Sequence, residues 1–189
     1  IKITEKVKLS IRWKIIIPAT LLIIAVCLSM GIYSYYCIQD GMVDMGGEQA
    51  ATAAKIVTEL LDTDTLEDLQ PGCEEGKEYQ KILQTLREAQ ENYGIAYLYT
   101  LYVKEGTVYY GVDADATDAQ CAFGEECETS YEELKDSFEG ETYVMDYIDH
   151  SEYGDLISVY KPILNSNEEI IGVLGCDYDA SEIMEKPST

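Results

Sequence analysis

Residues 15–38 run for 24 positions without a charge. A helix rises about 1.5 Å per residue, so this run is long enough to cross a hydrocarbon core of roughly 30 Å. Tyr33, Tyr35 and Tyr36 crowd its C-terminal end, where amphipathic rings suit a membrane–water boundary. Ahead of it stand Lys2, Lys6, Lys8, Arg12 and Lys14 against a single Glu5. The positive-inside rule then expects 1–14 as a basic cytoplasmic N-terminus, 15–38 as a transmembrane helix and 39–186 as one extracytoplasmic domain. A cleaved signal peptide is the alternative. Its apolar region spans roughly 7–15 residues and precedes a small-residue cleavage site. The run here is longer and no clear A-x-A-like site follows, so a retained anchor is expected. Pro18 lies near the cytoplasmic end, where a missing backbone donor costs least.

Charge divides the chain at the same place. Residues 1–39 hold five basic and one acidic side chain, a formal +4, whereas residues 40–189 hold eight basic and 35 acidic, a formal −27. An outer part so acidic repels nucleic acid and anionic membrane surfaces. Most of these charges are expected to form a solvated surface. About 150 residues suffice for one globular domain with a real core, not for two. Of six cysteines, Cys27 and Cys37 fall in the apolar run. Cys121 and Cys127 flank a Gly-containing loop and are the best candidates for a disulfide, which an oxidising exterior permits. A zinc site has little support: there is no C-x-x-C and the only histidine is His150.

Past the apolar run, Met42, Met45, Gln49, Ala53, Ile56, Val57, Leu60 and Leu61 recur at helical spacing, predicting a helix over 40–61 continuous with the membrane helix. Gly41, Gly46 and Gly47 weaken its first turns. Asp62-Thr63-Asp64 caps a short turn over 65–69, and a second helix is expected over 78–92, ended by Tyr93-Gly94. The period then changes to two. Strands are expected over 95–103, 107–113, 141–148, 156–163 and 170–177, with a helical piece at 131–138 and another starting near 180. The fold class is therefore α+β: helices first, then five mostly antiparallel strands with a helix-bearing insertion after the second. The first and fifth strands are apolar on both faces, so both faces of the sheet need cover.

The segments AYLYTLYV and YYGVDAD, then SVYKPI and IIGVLGCDYD, resemble in kind and order the extracytoplasmic PAS-like sensors called Cache or PDC domains. Members of that family often end in a strand reading Pro-Ile, a polar hairpin and Gly-Val-small-small-Asp. Here those are Pro162-Ile163, residues 165–169 and Gly172-Val173-Leu174-Gly175-Cys176-Asp177. The hairpin departs from the family's frequent Asp-Gly or Asn-Gly, reading Ser166-Asn167-Glu168. The resemblance implies a PAS-like five-stranded sheet, a long N-terminal helix on one face, and a ligand pocket on the other walled by residues 114–140. The length leaves room for one such domain, not the tandem pair that many family members have. The resemblance also implies a place in a chemoreceptor, sensor kinase or cyclic-dinucleotide enzyme, with a second membrane helix and an output domain expected beyond Thr189.

Period-two phase places Asp177 with Val173 and Gly175, Asp113 with Tyr109 and Gly111, and Tyr160 with Ser158 and Pro162. If these faces line a cavity, two strand-end carboxylates among aromatic rings suit a cationic or amine-bearing ligand. The family often holds a ligand amine with the carboxylate after its last Gly-rich strand, the position of Asp177. The alternative for either Asp is that it caps a strand end or turn. Tyr97, Tyr99, Tyr110 and Tyr160 are candidate ring or hydroxyl contacts, or simply good strand formers. Lys161 is a candidate for a ligand carboxylate, or an exposed lysine.

Asp113, Asp115, Thr117 and Asp118 resemble the start of a calcium loop. Its sixth and twelfth positions are Asp118 and Gly124 where an EF-hand needs Gly and Glu. No G-x-S-x-G, P-loop or Cys–His spacing supports catalysis, no cofactor motif is present, and His150 reads as a surface residue in an acidic turn. The expectation is a non-enzymatic, membrane-anchored sensor. It binds a small molecule, forms a homodimer along the Ala and Met stripe of its first outer helix, and signals through its terminal helices. The alternative is a ligand-free protein-interaction or dimerisation ectodomain.

Overall fold

A computed structural model describes residues 10–181 apart from 118 and 152. Lys2, Glu5, Lys6, Lys8, Asp118, Glu152 and the segment expected past Ser181 lie outside the described residues. The chain divides into two compact units, Ile1–Gly41 and Met42–Thr189.

Helix α1, Ile11–Leu60, contains both the apolar run and the first helix expected after it. In the first unit it is apolar and exposed throughout the run, and by length and composition it is able to cross a membrane. Pro18 falls at its eighth residue, an interior position where the pyrrolidine ring removes a donor from the ladder.

In the second unit α1 turns a stripe of small residues to the protein interior: Gly46, Gly47, Ala50, Ala53, Ala54 and Val57 are buried. The glycines that cost helix propensity serve packing here. A Cβ at Gly47 would come within 2.8 Å of Val144 Cγ1, so only glycine admits that side chain. Asp62 then accepts from the Thr65 amide and caps α2 (Thr63–Glu67). Helix α3 (Lys77–Tyr93) buries Tyr79, Ile82, Leu83, Leu86 and Ala89, the i, i+3, i+4, i+7 stripe of an amphipathic helix. Gly94 ends it in the left-handed conformation, φ 62°. Each of its large apolar side chains contributes about 1.5–3 kcal/mol by leaving water.

The strands are β1 (Tyr97–Lys104), β2 (Thr107–Asp113), β3 (Tyr143–Val144), β4 (Asp149–Ser151), β5 (Gly154–Leu164) and β6 (Ile170–Asp179), with α4 (Tyr131–Phe138) between β2 and β3. They form one sheet in the order β2-β1-β6-β5-β3, with β4 also on β5. Every pairing is antiparallel. Of the strand expected over 141–148 only Tyr143–Val144 forms, and a second short strand, Asp149–Ser151, follows it. The alternation there is too polar to bury a continuous strand, so only Tyr143-Val144 and Asp149–Ser151 pair with the long β5.

The sheet is covered on both faces. Leu98, Val112, Val159, Ile163, Leu174, Cys176 and Tyr178 pack with α1 and α3. Leu101, Val108, Tyr160 and Val173 form the other layer with Leu134 of α4, against which Tyr99, Tyr110, Cys127, Tyr131 and Phe138 pack. The β5–β6 hairpin turns through Asn165, whose side-chain oxygen accepts from the amides of Asn167 and Glu169. Glu168 takes φ 63°, the left-handed sign of φ that glycine adopts freely in an Asp-Gly or Asn-Gly turn.

Candidate ligand-binding site

The β1–β2 pair sets which carboxylates share a layer. Tyr102 faces Tyr109 and Leu101 faces Tyr110, but Tyr99 faces Asp113, so Gly111 and Val112 together oppose Thr100. This is a β-bulge. The Thr100 hydroxyl accepts from the Val112 amide at 2.7 Å, and a Cβ on Gly111 would collide with that hydroxyl. The extra residue corrects the phase expected from strict alternation. Asp113 shares its side of the sheet with Tyr99, while Tyr109 stacks on Tyr102, which packs in the α1–α3 layer.

Asp177 sits on β6 directly opposite Tyr97 of β1 and Ser158 of β5. It is 6% exposed, and its Oδ1 has no hydrogen-bond partner. The neighbouring residue Gly175 faces Tyr99, and a Cβ there would collide with the Tyr99 ring. The glycine thus lets that ring lie against the strand, beside both Asp177 and Tyr160. The Ser158 and Tyr99 hydroxyls lie beside the carboxylate, although neither reaches Oδ1. Burial pushes the Asp177 carboxyl up to about 6; those two hydroxyls favour the charged form, and the charges of Asp149 and Asp113 oppose it. Burial, then the Asp177 charge, pushes Tyr160 up to about 12 and raises Tyr99 further. A buried carboxylate whose oxygen lacks a partner is costly. A proton or a hydrogen-bond donor on Oδ1 would offset that cost.

The remaining expected residues divide. Tyr97 lies at the rim, its hydroxyl donating to the Tyr153 carbonyl at 3.3 Å and its ring edge-on to Tyr153. Tyr110 packs edge-on to Tyr99, and burial, then the neighbouring Cys127, raises its hydroxyl. Asp113 is buried, but both its oxygens are occupied: Oδ1 accepts from the Asp115 amide and Oδ2 from the Cys121 amide. It organises the 114–130 loop. Lys161 is paired with Leu174 on the α1–α3 side of the sheet and is half-buried there, away from Asp177. Cys121 and Cys127 are half-buried, with free thiols in this structure. Burial pushes the Cys121 thiol up to about 11. His150 is exposed, with Nδ1 2.6 Å from Asp155 Oδ1. Sequence reasoning passed over Ser158 and Asp149 as site residues. Their signal was position: Ser158 is across from Asp177, and Asp149 pairs with Leu156, two residues before Ser158 and so on the same face.

Two open hollows lie elsewhere. One, of about 500 Å³, runs along α3 past Lys77, Lys81, Arg87 and Glu91; the other, of about 310 Å³, lies among Gln49, Ile56, Tyr93 and Tyr178.

No protein-family model matches this sequence, and no curated protein matches it. Solved structures do match in fold. The sensor domain of the V. cholerae histidine kinase DctB superposes with a TM-score of 0.53 at 13% identity, over 82% of this chain and 58% of that one. The E. coli DcuS sensor domain gives 0.50 at 16% identity, over 77% of this chain and 97% of that one. The ligand-binding domain of the Campylobacter jejuni chemoreceptor Tlp3, solved with L-valine, gives 0.46 at 15% identity, over 83% of this chain and 66% of that one. The chain thus spans just under two thirds of the Tlp3 domain. The match is to Cache/PDC sensor domains of chemoreceptors and histidine kinases, at low identity.

Proposed function

We propose that residues 39–186 form an extracytoplasmic sensing module, anchored by the 15–38 helix with its N-terminus in the cytoplasm, and that a small molecule bearing an amine binds at Asp177. The observation that carries this reading is the Asp177 carboxylate: nine-tenths buried, with one oxygen unpartnered, among Tyr99, Tyr160 and Ser158. An ammonium group there would supply the charge-assisted hydrogen bond that Oδ1 lacks, and the rings would add cation–π attraction. The sensor-domain fold supports it as architecture alone. Binding would favour one arrangement of the helices bounding the domain and pass that bias across the bilayer, in a homodimer joined along α1.

A thermal-shift screen of the whole chain in detergent tests this, against amines, amino acids, dicarboxylates, purines and Ca²⁺. A ligand that binds only the folded state raises the melting temperature by mass action. The expected result is a shift from amine-bearing compounds that disappears in Asp177→Ala. Shifts from other classes alone, or a shift that survives in that variant, remove Asp177 from the site. No shift from any class favours a protein-interaction ectodomain. Protease added outside intact cells tests the topology, and should digest the acidic domain while sparing the N-terminus.

A further inference from the structure

The amine reading leaves open whether the ligand is an amino acid, with a carboxylate beside its ammonium, or an amine without one. From the distribution of charge around Asp177 we infer that the site selects amines lacking a carboxylate and rejects the corresponding amino acids. The inference rests on the Asp177 reading above.

The charges acting on Asp177 are Asp149 and Asp113, both of its own sign, and Asp149 shares its face of the sheet. A ligand carboxylate arriving with the ammonium would meet a buried like charge at Asp113 and an exposed one at Asp149, and like charges repel most where solvent is excluded. The second unit's basic side chains among the described residues are engaged or placed elsewhere. Lys161 is on the opposite face of the sheet. Lys81 is ion-paired to Asp62 at 2.7 Å on the α1–α3 side. Arg87 is the cation that acts on Asp113, yet its Nε and Nη2 donate to the Ala114 and Asp115 carbonyls at 3.1 and 2.8 Å. Lys135, on the covering helix α4, is exposed beside Glu139. Lys55 and Lys77 belong to α1 and α3, and Lys104 is exposed at the far end of β1. What surrounds Asp177 is instead hydroxyl and ring: Tyr99, Tyr160 and Ser158 beside it, and Tyr97 with Tyr153 at the rim. Hydroxyls and ring faces suit an organic cation, and the carboxylates of Asp149 and Asp113 work against a zwitterion. Specificity here comes as much from the repulsive element as from the attractive one.

The test is calorimetric titration of the whole chain in detergent with matched pairs differing only by the carboxylate: 2-methylpropylamine against valine, phenethylamine against phenylalanine, and 1,4-diaminobutane against ornithine. The expected result is at least ten-fold tighter binding of the decarboxylated member in every pair that binds, lost in Asp177→Asn. Asp149→Lys, an exchange at an exposed strand residue, should narrow that gap by bringing a cation to the rim. Equal or tighter binding of the amino acids overturns the inference and leaves the amine reading standing. Binding of neither member, or amine binding unchanged in Asp177→Asn, overturns both. Circular dichroism of each variant separates lost binding from lost fold.

Discussion

At the scale of single residues, the chemistry gathers on β6, where one glycine and one aspartate two positions apart act together. Asp177 has its carboxyl pushed up to about 6, above the ordinary value near 4. A carboxyl raised in the folded state favours folding while protonated, so its contribution is fully present below about pH 4 and is lost as pH rises through 6. A shift of about two units corresponds to about 3 kcal/mol. Urea unfolding of wild type and Asp177→Asn at stepped pH should therefore show the variant gaining on wild type by about that amount between pH 4 and 7. Amine affinity should move the other way, weakening about ten-fold from pH 7 to pH 5 as the carboxylate protonates. Parallel stability curves would mean Asp177 is solvated in solution. Gly175→Ala forces the Tyr99 ring off the strand. It should cost about 1–3 kcal/mol as an overpacked site and weaken amine binding as well, read by thermal melts and titration. Asp177 was legible as a candidate because it closes a Gly-rich apolar strand, a pattern visible in one dimension. Ser158 and Asp149 were not, since their place depends on cross-strand register. The face of Lys161, by contrast, follows from alternation alone: a basic residue between Tyr160 and Pro162 points opposite to both.

At the scale of elements, amphipathic periodicity located α3, α4 and the long strands to within a few residues, because each has one face to bury. It overextended β3, expected over 141–148, and missed β4; both are short and largely exposed and pair with the edge of β5. Nor could it see the bulge opposite Thr100, where a side-chain hydroxyl replaces a ladder acceptor. That feature puts Asp113 on the face of the sheet that carries Asp177, where its oxygens tie down the 114–130 loop. The β5–β6 turn is the element most open to improvement. Glu168 holds a left-handed backbone that costs a residue with a Cβ about 1–2 kcal/mol. Glu168→Gly should stabilise the fold by up to about 1 kcal/mol after glycine's greater unfolded-state entropy is subtracted. The check is an unchanged denaturant slope with a higher midpoint; a lower midpoint would mean the Glu168 side chain contributes more than its backbone costs.

At the scale of the molecule, the formal −27 over residues 40–189 is opposed by few cations, and the ion pairs among the described residues are exposed. Self-repulsion should dominate the salt response. Raising ionic strength from about 10 to 150 mM shortens the screening length from roughly 30 to 8 Å, so the melting temperature should rise by several degrees. A flat response in scanning calorimetry would mean that bound cations already neutralise this surface. The rings crowding Asp177 have a further consequence, which is optical. The lone tryptophan, Trp13, belongs to the first unit, whereas thirteen of the sixteen tyrosines belong to the second. Several are paired within about 6 Å of one another: Tyr99 with Tyr110, Tyr97 with Tyr153, and Tyr143 with Tyr160. Indole and phenol emission therefore report on different parts of the chain without any label. Closely held phenols in a chiral setting also give a near-ultraviolet dichroism that changes when one ring of a pair turns, so the proposed seating of an amine at Asp177 would be read from the protein's own light.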